Sequence, residues 1–154
     1  MAIALGEKGL RAATLPQSSR QAAMAEVTAL GADAPATDGE LGDLPQRLRL
    51  YARGEAVAFP DRLDLSHATP FLRAVWQATR EIPRGQTRPY SWLAQRVGRP
   101  GAARAVGQAM RRNPLPIVIP CHRVVAADGG LGGYGGGLDL KHTLLRLEGA
   151  YQSR

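Results

Sequence analysis

One cysteine, Cys121, stands in 154 residues, so no internal disulfide can form and the pattern suits a reducing compartment. Histidine is nearly as scarce. His67, His122 and His142 are scattered, and with a single thiol they match no metal-ligand spacing. Long apolar runs are missing: none approaches the ~20 residues of a membrane span, and the N-terminus lacks a charged region followed by an apolar core. The expectation is a soluble, intracellular, cytoplasmic protein. Acid is missing from one stretch. Between Pro70 and Arg123 ten arginines face Glu81 alone, a net +9 within a chain of +7, which leaves −2 elsewhere. Such a segment attracts polyanions, where phosphate neutralisation supplies affinity but no sequence information. A solvated arginine-rich face is the plainer alternative.

What is present suffices for one buried core, or a core with a small satellite, at 44% hydrophobic content. Ala2–Leu5 and Leu10–Leu15 suggest a hairpin closed by Pro16. A short helix is expected over 17–30, a loop over 31–43, and a helix over 44–52. Phe59-Pro60 and Leu63–Leu65 read as a linker or edge strand. Thr69-Pro70 is a helix start, with a hydroxyl for the N-cap and proline at the first helical position. Phe71, Val75, Trp76 and Thr79 then share a face. Two short helices, 91–97 and 102–112, flank Gly98–Gly101 in a helix-turn-helix pattern stopped by Asn113-Pro114. Ile117–Ile119 and Val124–Ala126 look like strands. Residues 128–137 are glycine-rich, and a helix over 138–147 ends at Gly149. No internal repeat is present.

The second helix of that pair is smooth. Ala102, Ala103, Ala105, Gly107 and Ala109 add little bulk, while Arg104, Arg111 and Arg112 rim it with guanidinium groups. Alanine alone would equally suit helix packing; the arginines favour a groove. Apart from Gln108, long readers of base edges are few, so shape and phosphate contact are expected to dominate. Cys121 is either a buried, inert thiol or a nucleophile. As a nucleophile it needs a base to form thiolate, because its free pKa lies near ~8.5. His122 is the candidate, directly or through water; on a strand, neighbouring side chains point to opposite faces. Glu148 is the acid best placed by pattern to orient the imidazole, although a helix C-terminus disfavours negative charge.

The run Asn113-Pro-Leu-Pro-Ile-Val-Ile-Pro-Cys-His-Arg-Val-Val125 closely resembles the active-site stretch of the O6-alkylguanine-DNA alkyltransferases, also called methylated-DNA–protein-cysteine methyltransferases. The likeness starts at Thr69-Pro-Phe and runs through Val75-Trp76, Ile82-Pro-Arg-Gly85, Tyr90, Leu93-Ala94 and Ala102–Gly107. It continues in Gly133-Tyr-Gly-Gly136, Lys141, Leu144-Leu145 and Glu148-Gly149, in order, across nearly all of the C-terminal half. Taken singly, Tyr90 also reads as a core aromatic, Arg104 as a phosphate clamp and Asn113 as a plain helix stop. Their joint order argues against coincidence.

The resemblance implies roles for these positions. Cys121 would attack the alkyl carbon on guanine O6. His122 would take the thiol proton through water, Glu148 would polarise His122, and Asn113 would brace the turn before the active-site strand. Tyr90 would donate a proton to guanine N3. Carbonyls of Cys121 and Val124 would accept the exocyclic amine, and the Tyr134-Gly135 amide would face O6. Pro116, Met110 and Gly136 would complete the pocket. Arg104 would fill the space left by the flipped base, with Ala102, Ala103, Ala105, Gly107, Arg111 and Arg112 against the DNA minor groove. A thioether offers water no ready leaving group, so each molecule would act once. No metal, nucleotide or flavin is implied.

Three departures stand out. Pro89 precedes Tyr90 where relatives often carry a capping serine or threonine. Gly135 replaces a side chain. The N-terminal part is short, as if an early strand were absent, and lacks the cysteines and histidines that hold zinc in some relatives. The expected architecture is α/β: a small, short ribonuclease-H-like domain over 1–66, and a helical DNA-binding and alkyl-transfer domain over 67–154 containing the helix-turn-helix. The expected partner is double-stranded DNA bearing O6-alkylguanine, bound by a monomer without a membrane. Two rivals are weighed. One is a non-enzymatic binder that flags alkylated DNA, although relatives of that kind lack the cysteine. The other is a helix-turn-helix regulator, which would need sequence-selective affinity.

Overall fold

The computed structural model describes residues 1–16, 19–29, 36–134 and 136–150. They form two units, one within residues 1–66 together with 114–118, the other within 67–113 together with 119–150. In the first, strands β1 (Ile3–Gly6) and β2 (Gly9–Ala13) make the expected antiparallel hairpin. Leu10 continues the pairing outward, donating its N–H to Arg62 O at 2.8 Å and accepting from Asp64 N–H at 2.7 Å. The stretch around Leu63 is thus an edge bridge.

Helix α1 (Arg20–Ala29) turns Ala23 and Val27 onto Ala2, Ala4 and Ala12, a core of small side chains. Residues 17, 18 and 30 of the helix expected there lie outside the described residues. So do 31–35 of the expected loop. The rest of that loop holds a helical turn, α2 (Asp38–Leu41). Thr37 starts it, with its N–H donating to Glu40 Oε2 at 2.7 Å. This Thr-x-x-Glu capping box was a signal in the sequence that the composition of the stretch obscured. Helix α3 (Leu44–Ala52) follows the predicted spacing and buries Leu44 and Tyr51.

The strand expected at Ile117–Ile119 does not form. Pro114, Pro116 and Pro120 break the run and remove strand donors. Ile117 and Val118 instead make a turn, with Ile117 at φ 76°. A β-branched residue in the left-handed region costs of order 1–3 kcal/mol. Burying its side chain, which is 8% exposed, offsets that cost.

In the second unit, helix α4 (Pro70–Thr79) starts as predicted: Thr69 Oγ1 accepts from Leu72 N–H at 3.2 Å, and Pro70 needs no partner for a missing donor. Helices α5 (Tyr90–Arg96) and α6 (Ala103–Arg111) follow. The three pack around Val75, Ala78, Ile82, Leu93, Ala94, Val106, Ala109 and Val124. Inside that core Trp76 Nε1–H donates to Ala109 O at 2.9 Å, satisfying a polar atom that would otherwise oppose burial. Pro89 gives α5 no side-chain cap. Instead, strand β3 (Arg88–Pro89) pairs in parallel with β4 (Val124–Val125) and fixes where α5 begins. Helix α7 (Leu138–Leu147) ends at Gly149, whose φ of 74° closes a Schellman motif: Gly149 N–H reaches Arg146 O at 3.0 Å and Ala150 N–H reaches Leu145 O at 2.9 Å.

The architecture is therefore mixed helix and strand, with small sheets. Among the described residues no helix is long and apolar enough to cross a membrane. Replacing Thr69 by alanine removes the cap of α4 and should lower stability by about 1 kcal/mol, read as a urea midpoint shift at constant m-value.

Candidate active site

Cys121 does not lie on a strand. Pro120, at φ −79° and ψ 64°, sits in an inverse γ-turn closed by Cys121 N–H to Ile119 O at 2.7 Å. Cys121–Arg123 then form one turn of 3₁₀ helix. Three residues per turn send successive side chains in three directions rather than two, which corrects the alternating-face expectation. Cys121 lines a pocket, His122 is fully buried, and Arg123 reaches Ile82. Asn113 Nδ2 donates to Ile119 O at 2.9 Å, bracing the turn from the end of α6.

Behind the thiol lies a buried charge cluster. Glu148, at the C-cap of α7, places Oε1 2.8 Å from His122 Nε2. Arg123 grips the same carboxylate with two donors, Nε to Oε2 and Nη2 to Oε1, both 2.9 Å. Its third nitrogen, Nη1, donates to Ile82 O at 2.7 Å. Burial works against ionising Glu148, but the hydrogen bonds from His122 and Arg123 win and hold its pKa well below the usual carboxylate range. Burial lowers the pKa of His122, and the charges of Arg123 and Lys141 lower it further, against the pull of Glu148. Burial raises the pKa of the Cys121 thiol, while the Asn113 side chain, the Lys141 charge and the Tyr134 side chain favour the thiolate.

The pocket in front of the thiol has a volume of about 270 Å³. That is near the low end of small-molecule sites, about 300–1,000 Å³. One wall comes from α6, where Arg104, Gly107, Gln108 and Arg111 recur at i, i+3, i+4 and i+7, with Ala103 and Met110 beside them. Tyr90, Gly133 and Tyr134 also line it. Val106 and Ala109 point the other way, into the core. Ala109 is therefore not part of the smooth outer face. Gly107 differs: a Cβ built on it would meet nothing within 4 Å. A mid-helix glycine costs ~0.5–1 kcal/mol relative to alanine, and no packing in its own unit requires one here.

Other expected positions lie away from this pocket wall. Ala102 caps α6 and packs on the core, while Ala105, Arg112 and Gly136 are exposed outside the lining. Val124 is fully buried, and its carbonyl accepts Lys141 Nζ at 2.6 Å. The Cys121 carbonyl accepts the Val124 N–H. Pro116 belongs to the first unit. Gly135 lies outside the described residues.

Sequence reasoning gave no role to two charged groups. Lys141 is wholly buried on α7; its Nζ donates to the carbonyls of Val124, Leu131 and Gly133, tying the glycine-rich segment to β4. Burial lowers its pKa to about 8, against the attraction of Cys121. Its signal was positional: Lys141, Leu144, Leu145 and Glu148 occupy i, i+3, i+4 and i+7, so the lysine falls on the buried stripe. Arg123 is the second, counted only as positive charge. The glycine-rich segment also meets Tyr90: a Cβ at Gly132, where φ is 69°, would come within 2.8 Å of the Tyr90 hydroxyl. Burial raises the pKa of Tyr90, so the phenol stays protonated and can donate.

Together these features define a protein that presents one shielded thiol, backed by an imidazole–carboxylate pair, beside an arginine-rimmed helix. Residues 70–150 match the model of the 6-O-methylguanine DNA methyltransferase DNA-binding domain. The methylated-DNA–protein-cysteine methyltransferase of Mycobacterium leprae is 51% identical over 111 residues, covering 72% of this chain and 67% of the relative. That of Salmonella typhimurium is 49% identical over 108 residues, covering 70% and 63%. Among solved structures, Mycobacterium tuberculosis OGT in complex with DNA superposes with a TM-score of 0.65 at 49% identity, over 68% of this chain and 63% of that one. The O6-methylguanine-DNA methyltransferase of Pyrococcus kodakaraensis gives 0.71 at 32% identity, over 96% and 89%. The chain belongs to the O6-methylguanine-DNA methyltransferase family, and it spans about two thirds of the length of the curated relatives it matches.

Because the folded pKa of Glu148 lies below its unfolded value, its contribution to stability is fully present above the ordinary glutamate pKa, about 4.3, and is lost progressively as pH falls from there through the lowered folded value. Glu148→Gln should therefore flatten the decline of the urea midpoint with pH below about 5. An unchanged slope would show that the carboxylate is not held this way.

Proposed function

We propose that this chain repairs DNA by transferring the alkyl group of O6-alkylguanine irreversibly to Cys121. The observation that carries the reading is a sole cysteine at the floor of a base-sized pocket, with His122 and Glu148 hydrogen-bonded at 2.8 Å behind it. An ionised Glu148 only accepts hydrogen bonds, so neutral His122 carries its proton on Nε2 and Nδ1 is the basic nitrogen. The imidazole takes the thiol proton through water. The sulfur forms a bond to the alkyl carbon as the carbon–O6 bond breaks, and the electron pair stays with guanine. Tyr90 gives its proton to guanine N3 and regains one from the imidazolium, so the thiol proton ends on the released base. The product is an S-alkyl thioether, which water does not cleave, and each molecule acts once.

The alkyl group is unreachable within a base stack, so the target must be extruded, at a cost of a few kcal/mol. Arg104 stands at the pocket rim on α6 and takes up the vacated space; Arg111 and Arg112 contact phosphate, and Ala103 and Gly107 permit close approach in the minor groove. In this reading α5 and α6 act as a helix-turn-helix, residues 67–154 as the DNA-binding and alkyl-transfer domain, and residues 1–66 as a short ribonuclease-H-like domain. The protein works as a monomer on chromosomal DNA in the cytoplasm. Asn113 holds the turn that aims the sulfur. A damage-flagging binder without chemistry is disfavoured because the thiol and its base are both present.

Incubation with O6-methylguanine duplex should add the mass of one CH₂ to the peptide bearing Cys121. Cys121→Ser should abolish the adduct while duplex binding persists; equal transfer by both proteins would refute the assignment. Arg104→Ala should slow transfer from duplex more than from free O6-alkylated base, and uniform slowing would remove its stack-filling role.

A further inference from the structure

We propose that Arg123 is the positioning residue that keeps His122 neutral, and so able to accept the thiol proton, by occupying the carboxylate that would otherwise hold an imidazolium. The inference rests on the alkyl-transfer reading and extends it to a residue outside the thiol–imidazole–carboxylate chain. Its basis is shared geometry. Glu148 Oε1 accepts from His122 Nε2 at 2.8 Å and from Arg123 Nη2 at 2.9 Å, so imidazole and guanidinium meet on one oxygen. Arg123 adds a second contact through Nε, and Nη1 is anchored on Ile82 O, which leaves the guanidinium little freedom to withdraw.

The charge balance then follows. The carboxylate and imidazole side chains are wholly shielded from solvent, and the guanidinium side chain is 13% exposed. Glu148 and Arg123 together are neutral. A proton on His122 would leave two cations against one buried anion, with the Lys141 ammonium on the same side of the balance. Without Arg123, His122 and Glu148 would form a simple buried imidazolium–carboxylate pair, and an imidazolium cannot receive the thiol proton. The charged groups that act on His122 include Glu148 and Lys141 on α7 and Arg123 on its own turn. Of the two cations, Arg123 is bonded to the carboxylate, whereas Lys141 donates to backbone carbonyls.

The test uses the full-length protein, labelled methyl transfer from an O6-methylguanine duplex measured across pH, and NMR titration of the His122 ring. Arg123→Gln keeps a donor and removes the charge; Arg123→Lys keeps the charge and loses the fork. In the glutamine variant the acid limb of the rate profile and the His122 titration should both move up by about one pH unit or more, the usual effect of a charge within ~4–6 Å. In the lysine variant both should stay near wild type. Should the glutamine variant not fold, Arg123→Met gives the second neutral replacement. A uniform loss of rate at every pH with an unmoved imidazole titration would overturn the proposal and leave Arg123 a structural brace. If the wild-type protein transfers no methyl group, the alkyl-transfer reading fails while the imidazole titration still decides the role of Arg123.

Discussion

One carboxylate, that of Glu148, organises the reactive half of this molecule. It sits where a helix ends, a place the macrodipole makes unfavourable for negative charge. It is buried there all the same, because a guanidinium fork and an imidazole meet it at 2.8–2.9 Å. Removing the carboxylate would leave the Arg123 guanidinium without its counter-charge in a largely buried place, the situation that costs most in protein interiors. The cluster also joins segments distant in sequence: the Cys-His-Arg turn, the end of α7, and through Ile82 the turn after α4. The position of the sulfur is therefore set by electrostatics and by the γ-turn at Pro120 together.

Lys141 plays the matching part for the glycine-rich segment. A buried ammonium with three carbonyl acceptors is fully satisfied, and it converts a glycine-rich segment with little intrinsic order into a wall fixed to β4. The segment has few side chains with which to hold itself, so the constraint must come from outside it. Tyr90 packs against the same segment at Gly132, where only glycine accommodates both the backbone angle and the approach of the phenol. The site thus holds two cationic side chains whose charges are otherwise occupied, Arg123 on a carboxylate and Lys141 on carbonyls.

Much of this was legible from residue order. The cap at Thr69, the boundaries of α3, α4, α6 and α7, the stop at Asn113 and the glycine after α7 follow from local rules that depend on a few neighbouring residues. What escaped depended on context. The apolar run 115–119 carries strand-like composition, but alternating prolines turn it. The Cys-His-Arg run has no local signature for a 3₁₀ turn, because that conformation is imposed by the γ-turn before it and the carboxylate after it. Lys141 and Arg123 look like ordinary surface cations until their distant partners, carbonyls and Glu148, are in place. The Thr37-x-x-Glu40 box was readable and lay within a stretch whose glycines and prolines suggested only a loop.

The thiol's own environment explains why such elaborate support is needed. Burial alone drives the sulfur toward its protonated form, which protects it from adventitious oxidation and alkylation but also disarms it. Burial outweighs the groups that counter it: an amide at Asn113, the ammonium at Lys141 and a phenol at Tyr134. A thiol so arranged is quiet until a substrate fills the pocket and a base removes its proton in the same step. For a protein whose single cysteine is consumed by its reaction, selectivity in when that thiol ionises matters more than a high resting nucleophilicity, and a shielded sulfur with a neutral imidazole held ready is a physical arrangement that provides it.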